Sequence, residues 1–185
     1  MINNRICEIA NRIISKHKSR DPFEIAKGMG IKIIYFDRKT KLLGMYHVIE
    51  RNRFIFLNPY IDEYTKKMVM AHELGHDTLH RELAKREGFK EYEIFDVKSA
   101  AEYEANVFAA HLLLDDREII DMARKGYDDV RIAGELGVNI NMLLFKIREM
   151  NRNGAGFRLR DIPRADFFGH MDGKHYTEIS KTTFV

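Results

Sequence analysis

The chain has 185 residues, of which 45% are hydrophobic and 32% are charged, a balance typical of a soluble globular domain with a core of its own. Its net charge of +3 is too small to indicate a nucleic-acid-binding surface. A single cysteine, Cys7, excludes an internal disulfide framework, and no apolar run approaches the length of a membrane span or a signal peptide. We therefore expect a protein of the reducing cytoplasm.

The N-terminal part of the chain is predicted to contain two helices and a small sheet. Apolar residues at helical spacing predict a helix over residues 3–18. Asp21-Pro22 is typical of an N-cap followed by proline at the first helical position, and this second helix should end at Gly28. β-Branched and aromatic residues then predict three strands, which we expect to form a small antiparallel sheet. The predicted strands cover residues 31–36, 43–48 and 53–58.

The most informative segment is His72-Glu-Leu-Gly-His76, on a helix predicted over residues 62–80. Histidines four residues apart on a helix lie one turn apart on the same side, about 6 Å from each other, so both can reach one tetrahedral Zn²⁺. They border an apolar stripe, which should direct them into the protein. Glu73 would then lie beside the open position of the metal, where it can take a proton from water. The motif predicts a catalytic metal site.

A catalytic zinc site needs a third protein ligand, and the next helix, predicted over residues 98–114, offers two glutamates. Glu102 lies on an apolar, small-residue face, where a carboxylate needs a partner such as a metal. Glu104 points to the other side, so we favour Glu102 and keep Glu104 as the alternative. Asn106, one turn after Glu102, can accept the free ring N–H of a ligand histidine. His80 is one turn too far along its helix to bind the same ion.

The remaining segments are less specific. Residues 81–97 are highly charged and are predicted to be a loop or irregular crossover. Short helices are predicted over residues 115–125, 129–136 and 140–150, and the last two have the spacing of a helix-turn-helix. The second of them offers only Lys146 and Arg148 to phosphates, which favours a packing or partner-docking element over a DNA reader. We predict one domain over residues 1–150, followed by a tail of loops or short strands over residues 151–185.

With these motifs, the chain resembles a known family, the ImmA/IrrE metallo-endopeptidases, over about residues 20–150. The resemblance rests on Met70-Ala-His-Glu-Leu-Gly-His, on Glu102-Tyr-Glu-Ala-Asn-Val-Phe-Ala-Ala-His-Leu-Leu-Leu, on Gly30-Ile-Lys-Ile and on Ile55-Phe-Leu-Asn. It implies an α+β, zincin-like core in which an antiparallel sheet packs on the motif helix. It also implies a Zn²⁺ held by His72, His76 and a downstream glutamate, with Glu73 as the general base. The chain has Leu113-Leu-Asp-Asp where the family commonly has Leu-Met-Pro, a departure that concerns the local turn.

The resemblance also implies a function. ImmA-type members cleave a helix-turn-helix repressor and so derepress a phage or mobile element, whereas IrrE-type members carry an additional C-terminal domain for which this chain has no room. We therefore expect a cytoplasmic, site-specific endopeptidase whose partner is a repressor, without direct contact to nucleic acid or membrane. Two alternatives stay open: a helix-turn-helix DNA-binding regulator, and a zinc protein that binds its partner without cutting it. The intact Glu73 argues against the second.

Overall fold

The fold is described by a computed structural model that covers residues 2–85, 88–92 and 99–157. These residues form two compact units, one ending at Asp115 and the other beginning at Asp116. This division falls inside the predicted 1–150 domain, whose extent stays a prediction. Most of the predicted tail, residues 158–185, lies outside the described residues.

Helices and a small sheet make up the described residues, which confirms the predicted α+β class. The strands are β1 (Lys32–Tyr35), β2 (Gly44–Ile49), β3 (Asn52–Leu57) and β4 (Phe89–Glu91). The helices of the first unit are α1 (Ile2–His17), α2 (Pro22–Gly28), α3 (Glu63–Leu79) and α4 (Ala100–Leu113). Those of the second unit are α5 (Asp116–Arg124), α6 (Asp129–Leu136) and α7 (Ile140–Arg152). Every helix and strand predicted before residue 151 is present, with boundaries shifted by at most two residues.

The sheet differs from the prediction in two respects. Its strand order is β1-β3-β2-β4, and β1 pairs with β3 in parallel, so the sheet is mixed rather than antiparallel. The eight residues 36–43 between β1 and β2 are long enough for the β2–β3 hairpin to fold with β3 next to β1. The fourth strand, β4, lies in the segment predicted to be a loop and pairs antiparallel with β2. Periodicity does not detect β4 because a three-residue strand is too short to show an alternation.

Helix α3 packs against the sheet on one side and against α4 on another. Its orientation on the sheet is fixed by Asp77, which is completely buried. The Asp77 carboxylate accepts a hydrogen bond of 2.7 Å from the Tyr46 hydroxyl on β2 and pairs with Arg53 on β3 at 2.9 Å and with Arg81 at 3.0 Å. Burial and the hydrogen bond to Asp77 raise the pKa of Tyr46 above its ordinary value, so the phenol stays a donor. Because Asp77 is held by three partners, the backbone at this point of α3 is fixed, and so is the position of the adjacent residue, His76.

The end of α4 is held by Arg20, from the turn before α2. One guanidinium nitrogen of Arg20 donates to the carbonyls of His111 and Leu112 at 3.0 Å each, and another pairs with Asp115 at 2.9 Å. The last carbonyls of a helix have no partner within the helix, so a side-chain donor from elsewhere satisfies them. The contact anchors α4 within the first unit.

In the second unit, α6 and α7 are joined by a turn at Gly137, whose φ of 64° is the left-handed conformation that glycine adopts readily. Lys146, one of the two basic residues that a DNA-binding α7 would use, is only 3% exposed and pairs with Asp116 at 2.5 Å. Arg148 is exposed. The burial of Lys146 favours the interpretation of α7 as a packing helix.

Candidate metal centre

The two motif histidines lie in the middle of α3, within its fully buried stretch Met68–Asp77. The helix begins at its N-cap Asp62, whose carboxylate accepts from the backbone N–H of Thr65. His72 and His76 are each 1% exposed, and their Nε2 atoms are 3.0 Å apart. The prediction that both imidazoles point inward on one side of the helix is therefore confirmed by the geometry.

Glycine at position 75 brings α4 close to the histidines. A Cβ placed on Gly75 would lie 3.0 Å from the Ala105 Cα, so the two backbones approach more closely than a larger residue allows. This close approach puts Glu102, almost one turn before Ala105, within reach of α3. Its Oε2 lies 3.1 Å from the His72 Nε2 and 3.5 Å from the His76 Nε2.

Hydrogen bonds at the opposite ring nitrogens fix how both histidines are protonated. Asn106 Oδ1 lies 2.8 Å from the His72 Nδ1, and an amide oxygen only accepts, so this Nδ1 carries the proton. The His76 Nδ1 lies 3.2 Å from the His80 Nδ1, and the His80 Nε2 lies 3.1 Å from a Glu104 oxygen. Glu104 accepts from His80, so His80 in turn accepts from His76. When both rings are neutral, as in a metal ligand, their Nε2 atoms carry the lone pairs, and these atoms face each other and the Glu102 carboxylate.

Glu73 lies beside this group in an unusual environment. The residue is 0% exposed, and neither carboxylate oxygen has a hydrogen-bond partner among the described residues. Burial raises the pKa of Glu73 well above its ordinary value, and the charges of Glu91 and Glu102 add to the rise against the attraction of His72. Space for its carboxylate exists because β2 has a glycine opposite: a Cβ on Gly44 would lie 2.8 Å from the Glu73 Oε1.

Two residues of β4, which the sequence analysis missed, complete the wall of the site. The Phe89 ring stacks on the His76 imidazole with centroids 3.9 Å apart. The Glu91 Oε2 lies 3.1 Å from the His72 Nε2, and Glu91 is 7% exposed. The only signal in the sequence is that Phe89 and Glu91 are two residues apart, which places them on one face of any strand.

The charges of the histidines and carboxylates at this site favour the binding of a cation. Burial lowers the pKa of His72, but hydrogen bonds to Glu102 and Glu91 outweigh it and raise that pKa to about 10. Burial lowers the pKa of His76 to about 4 despite its hydrogen bond to Glu102. Burial by itself would raise the pKa of Glu102. The hydrogen bonds to His72 and His76 outweigh burial, so the pKa of Glu102 lies well below its ordinary value. The carboxylates of Glu102 and Glu91 therefore favour a positive charge at the His72 Nε2.

The residues present fit a divalent metal. One ligand atom from each of His72, His76 and Glu102 lies within 4.8 Å of the others, and these three form the cluster suited to a metal among the described residues. Two imidazole nitrogens and a carboxylate oxygen are the ligand types of a catalytic zinc site. The unpartnered Glu73 carboxylate beside them is the group that a bound cation and its water would satisfy. Zinc as the metal stays a prediction.

The other candidates from the sequence have different positions. Glu104 contacts His80 rather than the two motif histidines, so the structure brings Glu102 and not Glu104 to the Nε2 atoms. His80 contacts the far side of the His76 ring, as expected for a residue that cannot reach the same ion.

Comparison with known proteins gives two further findings. A family model described as Peptidase_M78, the IrrE N-terminal-like domain, matches residues 26–148. The chain is also 36% identical over 105 residues to "Uncharacterized immunity region protein 2" of Bacillus phage phi105, a match that covers 57% of this chain and 65% of the relative. Among the described residues, no helix is long and apolar enough to cross a bilayer. The matched segment contains both halves of the metal cluster, and the chain belongs to the Peptidase_M78 (IrrE N-terminal-like) family of metallopeptidases.

Proposed function

We propose that the chain is a zinc-dependent endopeptidase that cleaves a helix-turn-helix repressor. One observation carries the proposal: the Nε2 atoms of His72 and His76 and the Glu102 Oε2 converge within 3.0–3.5 Å beside a buried carboxylate, Glu73. Three protein ligands next to an acid that can act as a base are what peptide-bond hydrolysis requires. When bound, zinc supplies Lewis-acid chemistry: it polarises a carbonyl and lowers the pKa of water from 15.7 to about 7.

The residues of the chain have distinct tasks in this mechanism. His72, His76 and Glu102 hold the metal, and Asn106 and His80 hold the two rings so that the Nε2 atoms face it. Glu73 takes a proton from the attacking water and delivers it to the nitrogen of the leaving amine. Its buried setting supports this role, because burial raises the pKa of Glu73 above its ordinary value and so makes the carboxylate a stronger proton acceptor than an exposed glutamate.

The proposed substrate follows from the kind of protein that the chain resembles. Its phage relative is named "Uncharacterized immunity region protein 2", which agrees with the resemblance to ImmA-type proteins of phages and mobile elements. Since ImmA-type proteins cleave a repressor, a repressor is the substrate we propose. The chain would bind an extended segment of this repressor by main-chain hydrogen bonds at the sheet edge.

The test is incubation of the zinc-loaded chain with a helix-turn-helix repressor from the same genome, with fragments identified by mass spectrometry. Wild type should give one defined cut. Glu73→Gln should bind zinc at the same stoichiometry and cleave about 10² to 10⁴ times more slowly, because only the proton-transfer group is lost. Equal cleavage by Glu73→Gln and wild type would show that Glu73 is not the base.

A second candidate is a zinc protein that binds the repressor without cutting it. The observation in its favour is Glu91, whose carboxylate lies 3.1 Å from the His72 Nε2, because a fourth protein ligand is typical of structural zinc sites. Stable binding of intact repressor by wild type and by Glu73→Gln alike, with no fragments from either, would support this candidate.

A further inference from the structure

The edge strand β4 brings a second carboxylate to the nitrogen that would bind the metal. The Glu91 Oε2 and the Glu102 Oε2 each lie 3.1 Å from the His72 Nε2. Glu91 is the less exposed of the two carboxylates, with 8% of its side chain accessible against 18% for Glu102. A surface glutamate that happens to be near the site would not be buried to this degree.

The strand register fixes the direction in which Glu91 points. Glu91 is the partner of Gly44 and Phe89 is the partner of Tyr46, so both lie on the face of the sheet that Tyr46 buries. The backbone carbonyl of Glu91 also accepts from the N–H of Leu43 at 2.7 Å, which anchors this end of β4. Because residues two apart share a face, β4 contacts both histidines at once, Phe89 at His76 and Glu91 at His72.

The glycine opposite Glu91 supports the same conclusion. A Cβ on Gly44 would lie 2.4 Å from Val69 Cγ1 and 2.8 Å from the Glu73 Oε1, so β2 passes too close to the site to contribute a side chain there. The neighbouring strand therefore supplies the group that faces the histidines, and that group is a carboxylate. Two neutral imidazoles and two carboxylates form a ligand set whose net charge of about −2 balances that of a divalent cation.

We propose that Glu91, which contacts His72 but lies outside the cluster formed by the ligand atoms of His72, His76 and Glu102, joins a bound metal as a fourth protein ligand, so that β4 closes the metal site when no substrate is bound. This inference rests on the metal site of the proposed function. Catalytic zinc sites keep one position open, whereas a site with four protein ligands is closed. The resting chain is therefore latent, and cleavage requires the Glu91 side chain to leave the metal.

Because of the position of β4 in the sheet, moving Glu91 away from the metal should require little free energy. The strand has three residues, pairs with β2 and lies at the end of the strand order. Short edge segments open at a lower free energy than central strands, because fewer buried contacts and ladder hydrogen bonds are lost. A partner segment that displaces or re-pairs β4 would withdraw Glu91 and open the site, which would couple substrate binding to activation.

The test compares full-length wild type, Glu91→Ala and Glu91→Gln, with Glu82→Gln as the control. Glu82 is an exposed carboxylate that pairs with Lys85, so its loss removes one negative charge without touching the histidines. Zinc affinity is measured by competition with a chromophoric chelator. Access to the metal is measured by titrating acetohydroxamate, a small metal ligand, into the Co²⁺-loaded proteins and following the visible absorption spectrum.

If Glu91 is a ligand, both Glu91 variants should bind zinc at least about tenfold more weakly, since even partners that only hydrogen-bond to ligands are worth that much. They should also bind acetohydroxamate at least tenfold more tightly than wild type, because the fourth position is open. Glu82→Gln should match wild type in both measurements. A purely structural Glu91 would weaken zinc binding without a gain in acetohydroxamate affinity.

Equal acetohydroxamate affinities in wild type and the Glu91 variants would overturn the inference, whatever happens to zinc affinity. Glu91→Gln keeps the size of the side chain, so it carries the test if Glu91→Ala does not fold by circular dichroism. No substrate is needed, so a wild type that passes this test but cuts no repressor overturns only the proposed endopeptidase activity. A wild type that binds no metal overturns both.

Discussion

Both units of the chain bury charged side chains that the fold itself pairs, such as Asp77 in the first unit, but α3 also buries one carboxylate that has no such pair among the described residues. In the second unit, Lys146 and Glu149 are each 3% exposed, and each has an opposite charge nearby: Lys146 pairs with Asp116 and Glu149 with Arg152. In the first unit, α3 buries Glu73, whose oxygens have no hydrogen-bond partner among the described residues, next to two histidines that face each other.

The difference separates structural charges from a functional site. A buried charge costs free energy unless it is paired, and in the second unit the pairing is made by the fold itself. At α3 the pairing is incomplete without a cation, and the ring nitrogens are held in place by Asn106 and His80. Predictions that contrast the two units therefore test the assignment of the metal centre.

The largest effect is expected from Glu102→Ala. Loss of a ligand that lies within 3.5 Å of both Nε2 atoms should weaken zinc binding at least about 100-fold. Glu104→Ala, which reaches the site only through His80, should weaken it by about tenfold or less. Both values come from chelator competition, and an unchanged zinc affinity in Glu102→Ala would contradict the assignment of Glu102 as the third ligand.

A smaller effect, on stability alone, is expected in the second unit. Asp116→Asn leaves the buried Lys146 ammonium with a weaker partner and should cost about 1–2 kcal/mol of unfolding free energy, a modest value because the Asp116 side chain is half exposed. Adding Lys146→Met should restore most of it, since apolar residues of similar size replace buried ion pairs at little cost. Urea unfolding measures both, and zinc affinity should stay unchanged. A loss of zinc affinity in either variant would contradict the contrast between the units.

Glycine substitutions sharpen the same comparison. Gly75→Ala should gain about 1 kcal/mol of helix propensity but force α3 and α4 apart at a cost of about 1–3 kcal/mol. The net loss of unfolding free energy should be up to about 2 kcal/mol. Zinc binding should also weaken, because Glu102 moves away from the histidines. Gly134→Ala on α6 is the matched control, because a Cβ there meets nothing within 4 Å. It should stabilise the protein by up to about 1 kcal/mol. Thermal unfolding and zinc titration of both variants check this. Equal changes in stability and zinc affinity in the two variants would contradict the close approach of α3 and α4 at Gly75.

The smallest effect is expected at the start of α3. Asp62→Ala removes an N-cap and should cost about 1 kcal/mol at pH 7. Hydrogen bonds from the Thr65 side chain and backbone lower the pKa of Asp62 below its ordinary 3.8, so the stabilisation is present above that value and is lost as pH falls through the lower folded-state pKa. Urea unfolding of wild type and Asp62→Ala should therefore differ at pH 7 and converge in strong acid. A difference in unfolding free energy that persists in strong acid would show that the ionised Asp62 carboxylate is not the source of the stabilisation.

The sequence analysis succeeded where the signal is local. The position of α3 follows from its N-cap and its periodic apolar face, and the four-residue spacing of His72 and His76 places both rings on one side of any helix. The choice of Glu102 over Glu104 also follows from helical geometry, because only Glu102 shares a face with Ala105 and Asn106. These inferences need no knowledge of distant contacts.

The analysis failed where long-range pairing decides. The parallel pairing of β1 with β3 and the existence of β4 depend on which strands meet in space, and neither a crossover nor a three-residue strand leaves a periodic signal. The partners of Asp77 were missed for the same reason, since Tyr46 and Arg53 come from strands distant in sequence.

The sequence by itself therefore determined the α+β class, the metal-binding helix and the three residues predicted to hold the metal, because helix periodicity fixes which side chains share a face. The sequence also indicated Asn106 as the acceptor of a ring N–H. Only the tertiary structure decided which ring Asn106 meets, 34 positions away, and that Gly44 lies beside Glu73 and Glu91 beside His72. The geometry of these contacts arises from strand register and helix packing, which no local pattern encodes.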